Sequence, residues 1–180
     1  MPRIIISLSN HNVSWCLHHC SSKSGASSKL LAYDVSADMC SPLFELRESI
    51  NQVLDELASM LLDQFWPLFT EELDKYLCEC ILQGRAKYTQ NGAEQLRHNM
   101  KVLFSFIQPY YQPTGTIFSG TKDCIRILTL EGTDVRQLHR DLYMLNASEQ
   151  KRVLGEYRIT VLTGREAETL LKKRSDVTIA

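Results

Sequence analysis

The sequence predicts an all-α protein, a helical bundle of about six helices, and three observations carry that expectation. Apolar residues recur at steps of three and four through most of residues 43–107 and again over 116–145. Helix-start chemistry stands ahead of those stripes, at Ser41-Pro42, Thr133-Asp134, Ser148, and Thr163 with Glu166 three residues on. Alternation of period two occurs once, in Glu156-Tyr157-Arg158-Ile159-Thr160-Val161-Leu162, and a lone strand has nothing to pair with. That segment therefore reads as extended loop.

Taken in order, residues 1–41 read as a divergent, weakly ordered lead-in. They hold the Ser/Gly/Lys stretch from Ser21 to Lys29, and only Ile4-Ile5-Ile6 and Leu30-Leu31-Ala32-Tyr33 suggest short elements. A helical domain follows over residues 42–180. Its first helix begins at Ser41-Pro42 and carries Leu43, Leu46, Ile50, Val53, Leu54, Leu57, Leu61, Phe65, Leu68, Tyr76, Leu77, Cys80 and Ile81 as one inward stripe. Pro67 removes a hydrogen bond inside that stripe, so a kink or two abutting helices is expected there, with Gly84 as the end. Asn91-Gly92 reads as a turn into the stripe Leu96, Met100, Leu103, Phe104 and Ile107, which Pro109 stops. After a loop through Pro113 comes an apolar helix around Thr116 to Leu130, closed by Gly132. Thr133-Asp134 then caps a helix with Val135, Leu138, Leu142 and Leu145, Ser148 opens a short one, and the Thr163–Glu166 capping box starts a last helix reaching Leu170, Leu171 and Arg174.

The 180 residues, 44% hydrophobic and 23% charged, fit one soluble globular domain large enough to bury a core without metals or disulfides. A net charge of −1 creates no global attraction to nucleic acid. Charge is nevertheless segregated. Residues 43–79 hold nine acids against Arg47 and Lys75, and residues 135–174 hold nine bases against five acids. Solvated helix faces account for most of this, although such polarity also orients a docking partner. No apolar run approaches the roughly 20 residues that span a bilayer. The six scattered cysteines read as reduced and cytosolic.

Chemistry-bearing patterns are sparse. Cys16, His18, His19 and Cys20 lie close together, with His11 and Cys40 as the nearest further ligands, a poor match to paired zinc-ligand spacing. Metal ligation is not expected. Cys78 and Cys80 diverge by about 200° on a helix and read as structural. His98 and His139 have no triad-like neighbours and read as surface residues. Gly120-Thr121-Lys122-Asp123 has the form of a guanine-reading tetrapeptide, but no phosphate loop accompanies it, so the match is accidental. Lys172-Lys173-Arg174 suits the negative end of the last helix better than a phosphate backbone. The chain reads as non-enzymatic, with no catalytic residue and no cofactor.

Family likeness goes further than periodicity. Leu46 to Arg174 resembles the C-terminal domain of the RINT/TIP family of vesicle-tethering subunits, large helical proteins of the Dsl (NRZ) complex. Three blocks carry the resemblance: Phe65-Trp66 followed by Leu73, Asp74 and Tyr76; Gly92-Ala93-Glu94-Gln95-Leu96 with Met100, Leu103 and Phe104; and Gly155-x-Tyr157-Arg158 with Leu170, Leu171 and Arg174. The chain departs from the pattern at Asn91, Asn99 and Pro67. The positions in these blocks read as fold-determining, Gly92 easing a tight entry into its helix and Leu96, Leu103, Phe104 and Leu171 forming core.

The resemblance implies the C-terminal part of a tether's helical rod, in a fragment or short form of a longer protein. It implies a cytoplasmic protein held peripherally on the endoplasmic reticulum through other proteins, tethering Golgi-derived retrograde vesicles. Expected partners are the other tethering-complex subunits and ER SNAREs, with no direct nucleic-acid contact. A link to cell-cycle checkpoint control is also implied. An unrelated helical adaptor, its acidic helix recruiting a basic partner, is the alternative.

Overall fold

The computed structural model describes residues 36–111 and 115–178. Seven helices run through them: α1 (Ala37–Glu56), α2 (Ser59–Gln83), α3 (Gln90–Ile107), α4 (Ser119–Leu128), α5 (Gly132–Met144), α6 (Ala147–Glu156) and α7 (Gly164–Leu171). Among the described residues no strand forms, and the one β-type contact is a parallel bridge between Tyr88 and Arg174. The all-α expectation holds. The candidate metal ligands His11, Cys16, His18, His19 and Cys20, the short apolar runs before residue 36, and Pro113 lie outside the described residues.

The first helix starts earlier than its sequence signal. Ser36, not Ser41, precedes it, and Pro42 lies inside it. A tertiary contact sets the start: Ser36 N–H donates to Asn99 Oδ1 at 3.3 Å, and Asn99 Nδ2 donates to Ser36 Oγ at 3.0 Å. That anchor brings Met39 into the interior, at 4% exposure.

The long helix breaks at Leu57 and Ala58, both extended (ψ 133° and 144°), and runs unbroken through Pro67. The reason lies in which face each half buries. α1 buries Met39, Leu46 and Ile50, whereas α2 buries Trp66, Phe69, Thr70, Leu73, Leu77 and Ile81. At about 100° per residue those two sets would point to roughly opposite sides of one straight helix. Up to Leu68 the expected stripe continues the face of α1, so Leu61 and Leu68 end up solvent-exposed, at 48% and 64%, whereas its last members Leu77 and Ile81 fall on the face that α2 buries. A break lets each half turn its own apolar side inward. α2 ends where expected, at Gly84, where a Cβ would stand 2.5 Å from the Cys80 carbonyl oxygen.

Downstream, the element types hold and the boundaries shift. Thr89 caps α3, its hydroxyl accepting from Gly92 N–H at 3.2 Å, so Asn91-Gly92 forms the first helical turn and not a loop. Ala93, Leu96, Met100, Leu103 and Ile107 are buried and Phe104 is partly so. α4 begins at Ser119 behind Phe118, which takes the left-handed conformation at φ 59°. Such a conformation costs a side-chain-bearing residue about 1–2 kcal/mol. Burial of Phe118 and its stacking on Phe104, centroids 4.4 Å apart, hold it there. Glu131 precedes α5, whose first residue is Gly132, so Thr133-Asp134 lies within the helix instead of capping it.

Asn146 and Glu149 make a capping box for α6, replacing the Ser148 start. That helix closes with Arg158 at φ 58°. Arg158 N–H bonds to Gly155 O and Ile159 N–H to Leu154 O, both at 2.9 Å, a Schellman arrangement with arginine where glycine is usual. The Thr163–Glu166 box of α7 forms as expected, but the helix stops at Leu171 and leaves Arg174 beyond it.

α4 is the hub. It makes its most extensive contact with α2 and also packs on α3 and α7, while α5 and α6 lean on α7. Ile127, Leu128, Leu138, Leu154, Leu170 and Leu171 are essentially fully buried around it. Each such side chain contributes about 1.5–3 kcal/mol when removed from water.

Candidate functional site

α4 buries Thr121 and Asp123 along with its apolar residues, and what satisfies those polar groups explains much of the assembly. The first turn of any helix leaves amide N–H groups without intrahelical acceptors and carries partial positive charge. Here a neighbouring helix supplies the acceptor. Asp74 of α2 takes Gly120 N–H at 2.9 Å, Thr121 N–H at 2.8 Å and the Thr121 hydroxyl at 2.6 Å. The tetrapeptide Gly120-Thr121-Lys122-Asp123 is thus a receptor for a carboxylate within the same chain. Its last residue works outward: Asp123 Oδ2 accepts from Thr160 N–H at 2.7 Å and Val161 N–H at 2.8 Å, and Arg126 pairs with Oδ1 at 3.4 Å. That bonding explains why the alternating segment near Thr160 needs no partner strand.

The opposite end of α4 is held by Arg174, which is 4% exposed. Its Nη1 donates to Leu128 O at 2.8 Å and Leu130 O at 2.7 Å, capping the carbonyl end of α4 and not of its own helix. Its Nη2 donates to Gln90 Oε1 at 2.6 Å, and its Nε to Asp176 Oδ1 at 2.9 Å. Asp176 in turn accepts Gln90 N–H at 2.9 Å at the start of α3. The guanidinium holds the Asp176 carboxyl below the ordinary carboxylate range. Lys173 follows the same logic, donating to the Gly84 carbonyl beyond α2, with burial lowering its pKa. Lys87 reaches back to Lys172 O at 3.0 Å, and Tyr88 exchanges main-chain bonds with Lys173 and Ser175.

The residues singled out in the sequence fall into this framework in three groups. Phe65, Trp66 and Phe69 form an aromatic cluster, and Trp66 stacks on Tyr110 with centroids 5.3 Å apart. Tyr76 is half-buried and its hydroxyl is pushed up to about 12, chiefly by burial. On α3, Gly92, Ala93, Leu96, Met100 and Leu103 are buried, Gln95 donates to Asn99 at 3.0 Å, and Lys122 sits over the Phe104 ring at 5.6 Å. Leu170, Leu171 and Arg174 are buried, Tyr157 is half-buried, and Gly155 is exposed with open space at its Cα.

The partners of Asp123 and Lys173, and the contact of Cys78 with Cys124, went unrecognised in the sequence, where Lys173 reads as a cap for its own helix. Each bonds across 37 to 89 residues, a separation no local pattern reveals. His98 and His139 are half-buried on their helices. Among the described residues no group of three or more His, Cys, Asp or Glu side chains gathers as metal ligands, and no helix is long and apolar enough to cross a membrane. No buried side-chain nitrogen or oxygen there lacks a hydrogen-bond partner. The arrangement fastens helices together.

Comparison with known proteins identifies the family. The RINT1-like protein MAG2 of Arabidopsis thaliana is 23% identical over 142 residues, which covers 79% of this chain and 17% of that protein. The chain therefore spans about a sixth of that relative's length. No solved structure matches significantly. The model of the RINT-1/TIP-1 family matches residues 8–174, a span that includes every motif position above and reaches well into the N-terminal lead-in. The chain belongs to the RINT-1/TIP-1 family.

Proposed function

We propose that this chain is a non-enzymatic module of a vesicle-tethering complex on the endoplasmic reticulum, acting in Golgi-to-ER retrograde transport and engaging ER SNAREs. The observation that carries the reading is the family match over residues 8–174. The interior is consistent with it, because the half-buried Asp74 and the buried Asp123 and Arg174 are each committed to fastening one segment of the chain to another. In this reading residues 42–180 form the helical domain, the motif residues maintain its shape, and partners meet its surface. Association with the membrane runs through the other complex subunits, and no nucleic acid is bound directly.

The exposed side of α1 and α2 suits such a role. Phe44, Met60, Leu61 and Leu68 stand in solvent there, among exposed acids that include Glu45, Asp63, Glu71 and Glu72. That same mixture also fits a second role for a member of this family, an adaptor whose acidic helices recruit a basic partner.

Co-precipitation of the full chain from mild lysates separates the two. Recovery of tether subunits together with ER SNAREs is the expected result. Recovery of neither, with the protein expressed and folded, removes the tether reading in favour of the adaptor.

A further inference from the structure

The seam between α2 and α4 holds a pair of thiols that neither the family likeness nor the fastening network explains. Cys78 of α2 and Cys124 of α4 bring their sulfurs within 3.4 Å, a thiol–thiol hydrogen bond joining residues 46 apart in sequence. The two are differently placed. Cys124 is fully buried, whereas Cys78 is half-buried and reaches the edge of the seam.

The surrounding geometry fixes the approach. Asp74, one turn before Cys78, fastens α2 to the first turn of α4 through Gly120 and Thr121. Cys78 lies directly against Gly120 of α4: a Cβ there would stand 3.5 Å from Cys78 Sγ and 3.4 Å from Asp74 Oδ2, in ordinary contact with both. The two helices therefore meet with the thiols already facing, and closing from 3.4 Å to a disulfide of about 2.05 Å needs a shift of little over 1 Å.

We propose that Cys78 and Cys124 are a redox modification site, closed to a disulfide by peroxide-class oxidants and reopened by thiol reductants, that staples α2 to α4. Cys78, on the solvent side, reacts first. Its thiolate sulfur attacks the peroxide O–O bond, giving a sulfenic acid and releasing one water after proton uptake. The Cys124 sulfur then displaces the sulfenic oxygen, which leaves with the Cys124 proton as a second water. Two thiols and one hydrogen peroxide become one disulfide and two waters. The hydrogen bond between the two thiols lowers Cys78 below its ordinary value and raises Cys124, which fits this order of reaction. Cys80, two residues on, points away from Cys124 and has its thiol raised by burial, so it is a poor competitor.

The test is peroxide titration of the reduced full chain, alkylation of remaining thiols, and peptide mapping. The expected product is a Cys78–Cys124 linked peptide, formed before any link through Cys40 or Cys80 and removed by dithiothreitol. The thermal midpoint of the oxidised chain should rise by about 5 °C or more, as closure of a long loop implies. Cys80→Ser should leave both effects intact, whereas Cys78→Ala should abolish both while remaining folded by circular dichroism. Accumulation of Cys78 sulfinic acid with Cys124 still alkylatable after unfolding would overturn the proposal. So would preferential linkage through Cys80, or a Cys78–Cys124 link that lowers the midpoint.

Discussion

Asp74 and Arg174 act as caps supplied from outside the helix they cap, one at each end of α4. Asp74→Ala would leave Gly120 N–H, Thr121 N–H and the Thr121 hydroxyl without their acceptor at the positive end of the helix. A loss of about 2–3 kcal/mol is expected, read as a lower urea midpoint at unchanged slope. Arg174→Lys is not a conservative change, because three donors on a point charge cannot serve the Leu128 and Leu130 carbonyls, Gln90 and Asp176 together. It should cost about 2–4 kcal/mol. The same variant carries a pH signature. Asp176 has its folded pKa depressed below the ordinary 3.8 by Arg174, so its contribution is fully present above that value and fades as pH falls through the lower folded one. Urea midpoints compared at about pH 6 and about pH 3 should therefore converge less steeply for Arg174→Lys than for the parent. In the sequence, Asp74 and Arg174 are visible only as motif letters. Gly120, which Asp74 accepts from, and Gln90, which Arg174 donates to, lie 46 and 84 residues away, and no local signal identifies them.

At the scale of the element, local chemistry was legible wherever it was also sufficient. The α3 stripe and the Thr163–Glu166 box are short-range features, and both formed as read. The break at Leu57–Ala58 was illegible because no glycine or proline marks it. It arises from a conflict between the faces that α1 and α2 bury, which only the packed molecule defines. Pro67 is the converse case, a strong local signal that tertiary packing overrides. The burial of Trp66, Phe69 and Thr70 around it, with the Thr70 hydroxyl bonded to Trp66 O at 2.9 Å, keeps α2 helical across a missing hydrogen bond. Pro67→Ala restores that bond but frees the unfolded chain. A net gain of about 1–2 kcal/mol is expected, with helicity by circular dichroism unchanged or slightly higher. A loss of stability would mean that the proline ring is itself a packing element.

For the whole molecule, the bundle was predictable because the six or so amphipathic segments read in the sequence, joined by short loops, have few other ways to hide their apolar faces. The packing order, with α4 at the hub and its polar residues bonded to α2 and to the segment around Thr160, was not. In the proposed role, this packed interior supports a partner-binding surface of a tethering module. Its most direct measurement is binding of the purified full chain, verified as folded, to immobilised cytosolic domains of ER SNAREs and to purified tether subunits. Saturable binding to at least one of them, retained in Pro67→Ala and weakened by Leu61→Asp with Leu68→Asp, is the predicted result. A folded chain that binds none of them has no tethering surface of this kind.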